Sequence, residues 1–214
     1  MSVHLIIDDR EIEAEEGAAL LETCLENGIY VPNLCHVPGS QRPSASCRLC
    51  FVEVESLAGP QPSCTLAVRD GMRVRTDTPL VRRLQKAAFE LLLSTHEVDC
   101  GRCPANKKCE LQRMARFLKV GLKPGRLEKH LKKSLPEAAH PVLSFYPNRC
   151  VLCGRCIRVC TDLHGRPYLT LAGRGYDTIL TSYGLENSGE LPCGECGACV
   201  DVCPVAAILP TRQA

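Results

Sequence analysis

Cys150-Val-Leu-Cys153-Gly-Arg-Cys156-Ile-Arg-Val-Cys160 is answered later in the chain by Cys193-Gly-Glu-Cys196-Gly-Ala-Cys199-Val-Asp-Val-Cys203-Pro204. Both stretches read C-x2-C-x2-C-x3-C. A thiolate at every third residue, with a fourth one turn later, wraps the backbone around a cubane rather than a single ion. Pro204 ends the second wrap and lets the fourth cysteine leave for the other cluster. The repeat therefore predicts two [4Fe–4S] clusters with exchanged fourth ligands. Cys150, Cys153 and Cys156 are expected to share one with Cys203, and Cys193, Cys196 and Cys199 the other with Cys160. Chemistry of this kind moves single electrons.

Sixteen cysteines among 214 residues, no Trp and only 4% aromatics leave conventional core packing lean. Such chains are usually held by something besides an apolar core. Disulfides need an oxidising compartment, yet Met1-Ser-Val-His-Leu-Ile-Ile-Asp-Asp has neither the basic start nor the apolar run of a secretory leader. No stretch approaches transmembrane length. Zinc favours two CxxC pairs separated by a loop, not three cysteines at successive spacings of three. The composition thus points to iron–sulfur clusters in a reducing, cytoplasmic setting. The formal charge of +2 counts every thiol as neutral, so ligation would leave the loaded protein acidic. Neither nucleic acid nor a membrane is expected as a partner. One local bias stands out, Lys119, Lys123, Arg126, Lys129, Lys132 and Lys133 against a lone Glu128. It reads as a solvated face or linker, or as a docking surface for an acidic partner.

The chain reads as α+β. Val3 to Ile7 and Glu11 to Ala14 are strand candidates around an Asp-Asp-Arg turn. Gly17 opens an amphipathic segment with Leu20, Leu21, Cys24 and Leu25 on one face, closed by Asn27-Gly28. Cys50 to Glu55 and Arg73 to Thr76 complete a small mixed sheet around that helix. Thr78-Pro79 marks a helix start, and Leu80, Leu84, Ala87, Ala88, Leu91 and Leu92 recur at helical spacing. Glu110 to Leu118 predicts another helix.

Two further ligand sets precede the repeat. Cys35-x11-Cys47-x2-Cys50-x13-Cys64 offers four thiolates with one close pair, which suits a [2Fe–2S] rhomb; a structural zinc knuckle is the alternative. Ser44-Ala45-Ser46 can present backbone N–H groups to its sulfurs. In His96-x3-Cys100-x2-Cys103-x5-Cys109, three cysteines leave one site of a cubane open, and His96 has the reach to fill it. His4, His130, His140 and His164 are expected as caps or surface residues. These sets use fifteen cysteines and one histidine, leaving Cys24 as a buried hydrophobe on its helix. Neither GxGxxG nor GxxxxGK[ST] occurs, and no nucleophile–base pair declares itself, so wiring is expected without a catalytic site.

This ligand order resembles the N-terminal iron–sulfur region of the complex I NADH-module large subunit. It is equally similar to the diaphorase iron–sulfur subunit of bidirectional NAD-reducing [NiFe] hydrogenases. Pro32-Asn-Leu-Cys35-His, Cys47-Arg-Leu-Cys50, Cys109-Glu-Leu-Gln and Asn148-Arg-Cys150-Val-Leu-Cys-Gly-Arg-Cys-Ile-Arg-Val-Cys160 carry the likeness. Parts of [FeFe] hydrogenases and of NAD-dependent formate dehydrogenases resemble it too. The resemblance implies a β-grasp [2Fe–2S] domain over 1–78 and a helical [4Fe–4S] domain over 79–120 with one His and three Cys ligands. It further implies a 2[4Fe–4S] ferredoxin-like domain over 142–214, with 121–141 as a basic linker. It implies one [2Fe–2S] and three [4Fe–4S] clusters, a flavin- and NAD(P)-binding diaphorase partner, and terminal redox subunits such as a [NiFe] hydrogenase. Eleven residues follow Cys203, so a separate electron-transfer subunit is expected. The rival readings are the equivalent subunit of an NAD-dependent formate dehydrogenase, bifurcating or complex I-like oxidoreductase, and a freestanding multi-cluster ferredoxin.

Overall fold

In the computed structural model, residues 1–40, 42–132, 140–182 and 193–211 are described. The chain forms two compact units, Met1–Glu90 and Leu91–Ala214.

The first unit opens with β1 (Ser2–Ile7) and β2 (Arg10–Glu15), paired antiparallel from Ser2↔Glu15 to Ile7↔Arg10. Only Asp8 and Asp9 remain for the turn, and both adopt positive φ, 50° and 66°. That twist suits a two-residue hairpin, and Asp tolerates it because its short side chain can bond locally. The Asp8 carboxylate also accepts the Thr76 N–H at 2.7 Å and the Thr76 hydroxyl. Helix α1 (Leu20–Glu26) buries Leu20, Leu21 and Cys24 against Val3, Leu5, Ile7 and Ile12 of the hairpin. Full burial of each Leu stabilises the unit by roughly 1.5–3 kcal/mol. Gly28, at φ 72°, follows its end.

β3 (Phe51–Val54), β4 (Gln61–Pro62) and β5 (Arg73–Arg75) extend the sheet in the order β2-β1-β5-β3-β4. β1 and β5 run parallel and the other pairs antiparallel. A mixed sheet grasping one helix is the result, as the pattern predicts. β4 is absent from the sequence reading because two residues show no periodicity and Pro argues against a strand.

Helix α2 (Pro79–Ser94) begins as expected: the Val81 N–H donates to Thr78 Oγ1 at 3.2 Å, with Pro79 in the first helical position. The first unit continues past Thr78, the expected boundary, as far as Glu90. Gln85 supplies a reason. It is fully buried, its Nε2 donates to the Phe51 carbonyl of β3 at 3.1 Å, and its Oε1 accepts from Arg82 at 3.3 Å.

The second unit contains a 3-10 turn at Cys100–Arg102, then α3 (Glu110–Leu118), which buries Leu111, Met114, Ala115 and Leu118. β6 (Leu143–Phe145), α4 (Arg155–His164), β7 (Leu169–Ala172), β8 (Ile179–Ser182), α5 (Cys193–Cys196), α6 (Ala198–Asp201) and β9 (Ile208–Pro210) follow. β6 pairs antiparallel with β9, and β7 with β8. Leu143, Cys156, Leu169, Leu180 and Ile208 form the core between them.

The basic stretch is tied to this unit as far as it is described. Lys129 Nζ donates to the carbonyls of Leu93 (2.6 Å) and His96 (3.4 Å), where the carbonyl end of α2 favours a cation. The His130 N–H bonds Ser94 O at 2.9 Å, and the Lys132 N–H bonds the Asn148 side chain at 2.9 Å. Lys133 lies outside the described residues. Of the two places expected of it, cap or surface, His140 takes the cap: its Nδ1 accepts the Val142 N–H at 3.2 Å, and the residue is buried.

Gln85→Ala takes the side-chain donor away from the half-buried Phe51. A loss of about 1–3 kcal/mol is expected in denaturant unfolding of the intact protein. An unchanged midpoint would mean that this bond contributes nothing.

Candidate metal centres

The first unit gathers Cys35, Cys47, Cys50 and Cys64, all buried. Val31 and Leu34, also buried, anchor the loop that carries Cys35. Cys50 directly precedes β3, and Cys64 sits in a single 3-10 turn at Ser63–Thr65. The Ser63 N–H and hydroxyl both donate to the Cys50 carbonyl, at 2.8 and 2.9 Å, holding Cys64 beside Cys50. Between Cys35 and Cys47 the sulfurs stand 3.4 Å apart. Ala45 and Arg48, at φ 49° and 54°, place non-glycine residues in the left-handed region on either side of Cys47. Such local strain persists only where the surroundings hold it. The backbone N–H groups of Cys47 and Ser46 reach the Cys35 sulfur, as the Ser-Ala-Ser sequence predicts.

Electrostatics divides these thiols into two pairs. The bond with Cys47 lowers the Cys35 thiol, while the same bond, burial and the Cys35 charge raise Cys47. Cys50 is likewise lowered by its bond with Cys64, and Cys64 is raised by that bond, burial and neighbouring thiolates. Each pair holds one thiolate readily and a second only against the charge of the first. A polynuclear cation removes that repulsion, so the donor set fits a [2Fe–2S] core with two ligands per iron.

In the second unit, His96, Cys100, Cys103 and Cys109 line one small cavity, together with Arg149 and Val205. His96 follows the end of α2, and Cys100 opens the 3-10 turn that Cys103 closes. Cys109 is the residue capping the N-terminus of α3. Burial raises its thiol, while the N–H groups of Gln112 and Leu111 pull it down. His96 Nδ1 lies 2.9 Å from the Arg149 carbonyl oxygen. A carbonyl only accepts, so the proton sits on Nδ1 and Nε2 keeps a free lone pair. Burial lowers the His96 pKa, with Lys129 and Arg149 acting the same way, against the raising effect of the bond to the Arg149 carbonyl. This is the arrangement of a ligating imidazole oriented through its other nitrogen.

The last cysteine of each run lies near cysteines of the other run. Cys150, Cys153, Cys156 and Cys203 line a single cavity, closed on its apolar side by Leu180, Val205 and Ile208. Burial pushes the Cys153 thiol up to about 11 and raises Cys150 and Cys156. Backbone donors oppose it: the Leu152 N–H reaches Cys150 Sγ at 3.4 Å, and the Ala207 N–H reaches Cys203 Sγ at 3.2 Å. Leu152 and Ala206, at φ 52° and 50°, accompany these bonds. Cys160 leaves its own run and joins the other. Its charge raises Cys193 and Cys199, the latter to about 11, after burial as the main cause. Cys196 acts on both as well, so the four belong to one electrostatic group. Cys160 Sγ accepts the Tyr168 N–H at 3.3 Å.

Among the described residues, no three His, Cys, Asp or Glu side chains gather closely enough to hold a single metal ion. In two of the four sets the candidate ligands border a common cavity instead, which suits a polynuclear core. Ser63, Lys129 and the Arg149 carbonyl, which position candidate ligands, escaped the sequence because no motif carries them.

Cys24 stands apart, fully buried on α1 with a thiol pushed up to about 12 by burial and Asp8. Cys24→Ala is expected to leave the iron and acid-labile sulfide content unchanged. A loss of iron would place Cys24 among the ligands.

Family models match nearly the whole chain. A 2Fe-2S iron-sulfur cluster binding domain matches residues 1–79, and the NADH-ubiquinone oxidoreductase-G iron-sulfur binding region matches 85–122. The ferredoxin-like domain of NADH-quinone oxidoreductase subunit 3 matches 140–209. The second G-type subunit of NADH-quinone oxidoreductase from Rhizobium meliloti (strain 1021) is 36% identical over 208 residues, covering 97% of this chain and 24% of its own length. The NADH-ubiquinone oxidoreductase 75 kDa subunit of Reclinomonas americana is 34% identical over 213 residues, covering 96% and 29%. The chain thus spans under a third of the length of these relatives. A chain of the NAD+-reducing [NiFe]-hydrogenase, solved in the H2-reduced state, superimposes with a TM-score of 0.83 at 28% identity, covering 100% of this chain and 89% of that one. With its thiol groups and these matches in view, the chain is an iron–sulfur electron-transfer protein related to the G-type subunits of NADH-quinone oxidoreductase and to NAD+-reducing [NiFe]-hydrogenase.

Proposed function

We propose that the chain relays single electrons between a flavin- and NAD(P)-binding diaphorase subunit and a terminal redox enzyme, a [NiFe] hydrogenase. One [2Fe–2S] cluster would be held by Cys35, Cys47, Cys50 and Cys64 within residues 1–78. A [4Fe–4S] cluster would be held by His96, Cys100, Cys103 and Cys109 within 79–120. The two clusters of 142–214 would take Cys150, Cys153, Cys156 and Cys203, and Cys193, Cys196, Cys199 and Cys160. A cytoplasmic setting goes with this reading. Among the described residues no helix is long and apolar enough to cross a membrane.

The observation that carries the proposal is the placement of the fourth cysteine of each run. Cys203 lies in the cavity of the first run, and Cys160 acts on the thiols of the second. Exchange binds the two runs into one unit and keeps both metal sites close together. Val205 lines both this cavity and that of His96, so an apolar side chain is shared by two candidate centres.

A bound cluster supplies a centre that gains or loses one electron with little change of shape. The protein's own groups do the rest. Thiols and one imidazole hold the metal, backbone N–H groups at Cys150, Cys160 and Cys203 stabilise negative sulfur, and apolar walls exclude water. Hydride chemistry belongs to the flavin and nicotinamide of a partner. The likeness in fold to the hydrogenase chain over nearly the whole of both favours that terminal enzyme. The curated relatives favour a complex I-like oxidoreductase as the second reading.

Anaerobic purification from native cells tests both. About fourteen iron atoms per chain are expected, with a flavoprotein and a nickel-containing pair co-purifying. A quinone-reducing partner set without nickel would favour the second reading, and a colourless, zinc-loaded chain would sink both. Cys153→Ala is expected to remove one cubane and slow through-transfer. His96→Cys puts a thiolate where a neutral imidazole stood, so the midpoint potential of that cluster should fall in an EPR-monitored titration. A midpoint that stays in place would remove His96 from the ligand set.

A further inference from the structure

Arg155 stands between two ligands of one candidate cluster, Cys153 and Cys156, as the first residue of α4. Gly154, at φ 74°, turns the chain sharply just before it. The residue lines the cavity bordered by Cys150, Cys153, Cys156 and Cys203. Its Nε is buried and has no hydrogen-bond partner among the described residues. The side chain is near enough to Cys153 for its charge to favour that thiolate.

A guanidinium keeps its protons under all ordinary conditions, so this buried N–H cannot escape its need for an acceptor by ionising. Buried donors left unmatched are rare, and each calls for an explanation. The polar groups bordering this cavity are otherwise dominated by sulfur. If the ligands proposed above hold a cluster, its sulfur supplies an acceptor in the cavity that Arg155 lines.

Resting on the four-cluster reading, we propose that the Arg155 Nε–H donates a hydrogen bond to a sulfur of the cluster held by Cys150, Cys153, Cys156 and Cys203, and raises its reduction potential. Reduction adds one electron to the cluster, and no proton leaves the guanidinium. The added negative charge strengthens the bond, so the reduced form is stabilised more than the oxidised form. Arg155 is therefore a positioning and tuning residue for electron transfer, with no ligand role of its own.

The test is an EPR-monitored redox titration of the whole chain in its complex. The relevant signal is identified as the one missing in Cys153→Ala. Arg155→Met is expected to retain the iron and to shift the reduction equilibrium of that cluster at least tenfold toward the oxidised form, about 59 mV for one electron. Arg155→Lys keeps the charge without the Nε–H and is expected to recover only part of the shift. An Arg155→Met protein with full iron and an unmoved midpoint would overturn the proposal, as would complete recovery in Arg155→Lys. Should Arg155→Met fail to assemble, pulsed EPR of the unmutated protein labelled with 15N-arginine decides. Nitrogen coupling to the reduced cluster is expected, and its absence overturns the hydrogen bond. Absence of sulfide from the unmutated chain would instead bring down the cluster reading itself, a separate and recognisable failure.

Discussion

Crowding of ionisable thiols in buried space is the constraint around which this chain is organised. Two sulfurs 3.4 Å apart, as at Cys35 and Cys47, share one proton more easily than they lose two. Burial, as the main cause, pushes Cys153 and Cys199 up to about 11, far from a thiolate at neutral pH. Multivalent cations reverse that balance, because each deprotonated sulfur then has an opposite charge beside it. Folding and metal loading of such a chain are therefore linked. A lean apolar core does not have to carry stability by itself.

The apolar groups serve a different purpose. In the first unit, α1 and the mixed sheet form a conventional core, and the cysteine loop hangs from it through Val31, Leu34 and the Ser63 bonds to Cys50. In the second unit, short strands and helices supply a small core around Leu143, Leu169, Leu180 and Ile208. Backbone strain collects beside sulfur: Ala45, Arg48, Leu152 and Ala206 all take positive φ near proposed ligands. These residues turn the chain tightly enough for N–H groups to face the thiols, where an ordinary turn would point them away.

Identical residues diverge according to surroundings. Cys24 and Cys47 are both buried, yet Cys24 faces hydrocarbon on a helix and Cys47 faces another thiol in a loop. The histidines separate in the same manner. His96 spends its Nδ1 proton on the Arg149 carbonyl and leaves Nε2 open in a cavity lined by three thiols, whereas His140 turns its Nδ1 to the Val142 N–H. What each side chain can do is decided by what its second polar atom already holds.

Spacing in the chain determined the Thr78-Pro79 helix start and is the ground for the proposed grouping of the cysteines, with Cys160 and Cys203 exchanged and Cys24 left over. These depend on local geometry, three residues for the next thiolate or one cap for the next helix, and local geometry is written in consecutive residues. Only the tertiary structure decided the rest. Lys129 reaching the carbonyls of Leu93 and His96, the Arg149 carbonyl orienting His96, Gln85 meeting Phe51, the two-residue β4 and the burial of His140 all depend on contacts the chain makes after folding. Such partners carry no periodicity and no fixed spacing, because long-range proximity arises from how elements pack and not from their order along the chain.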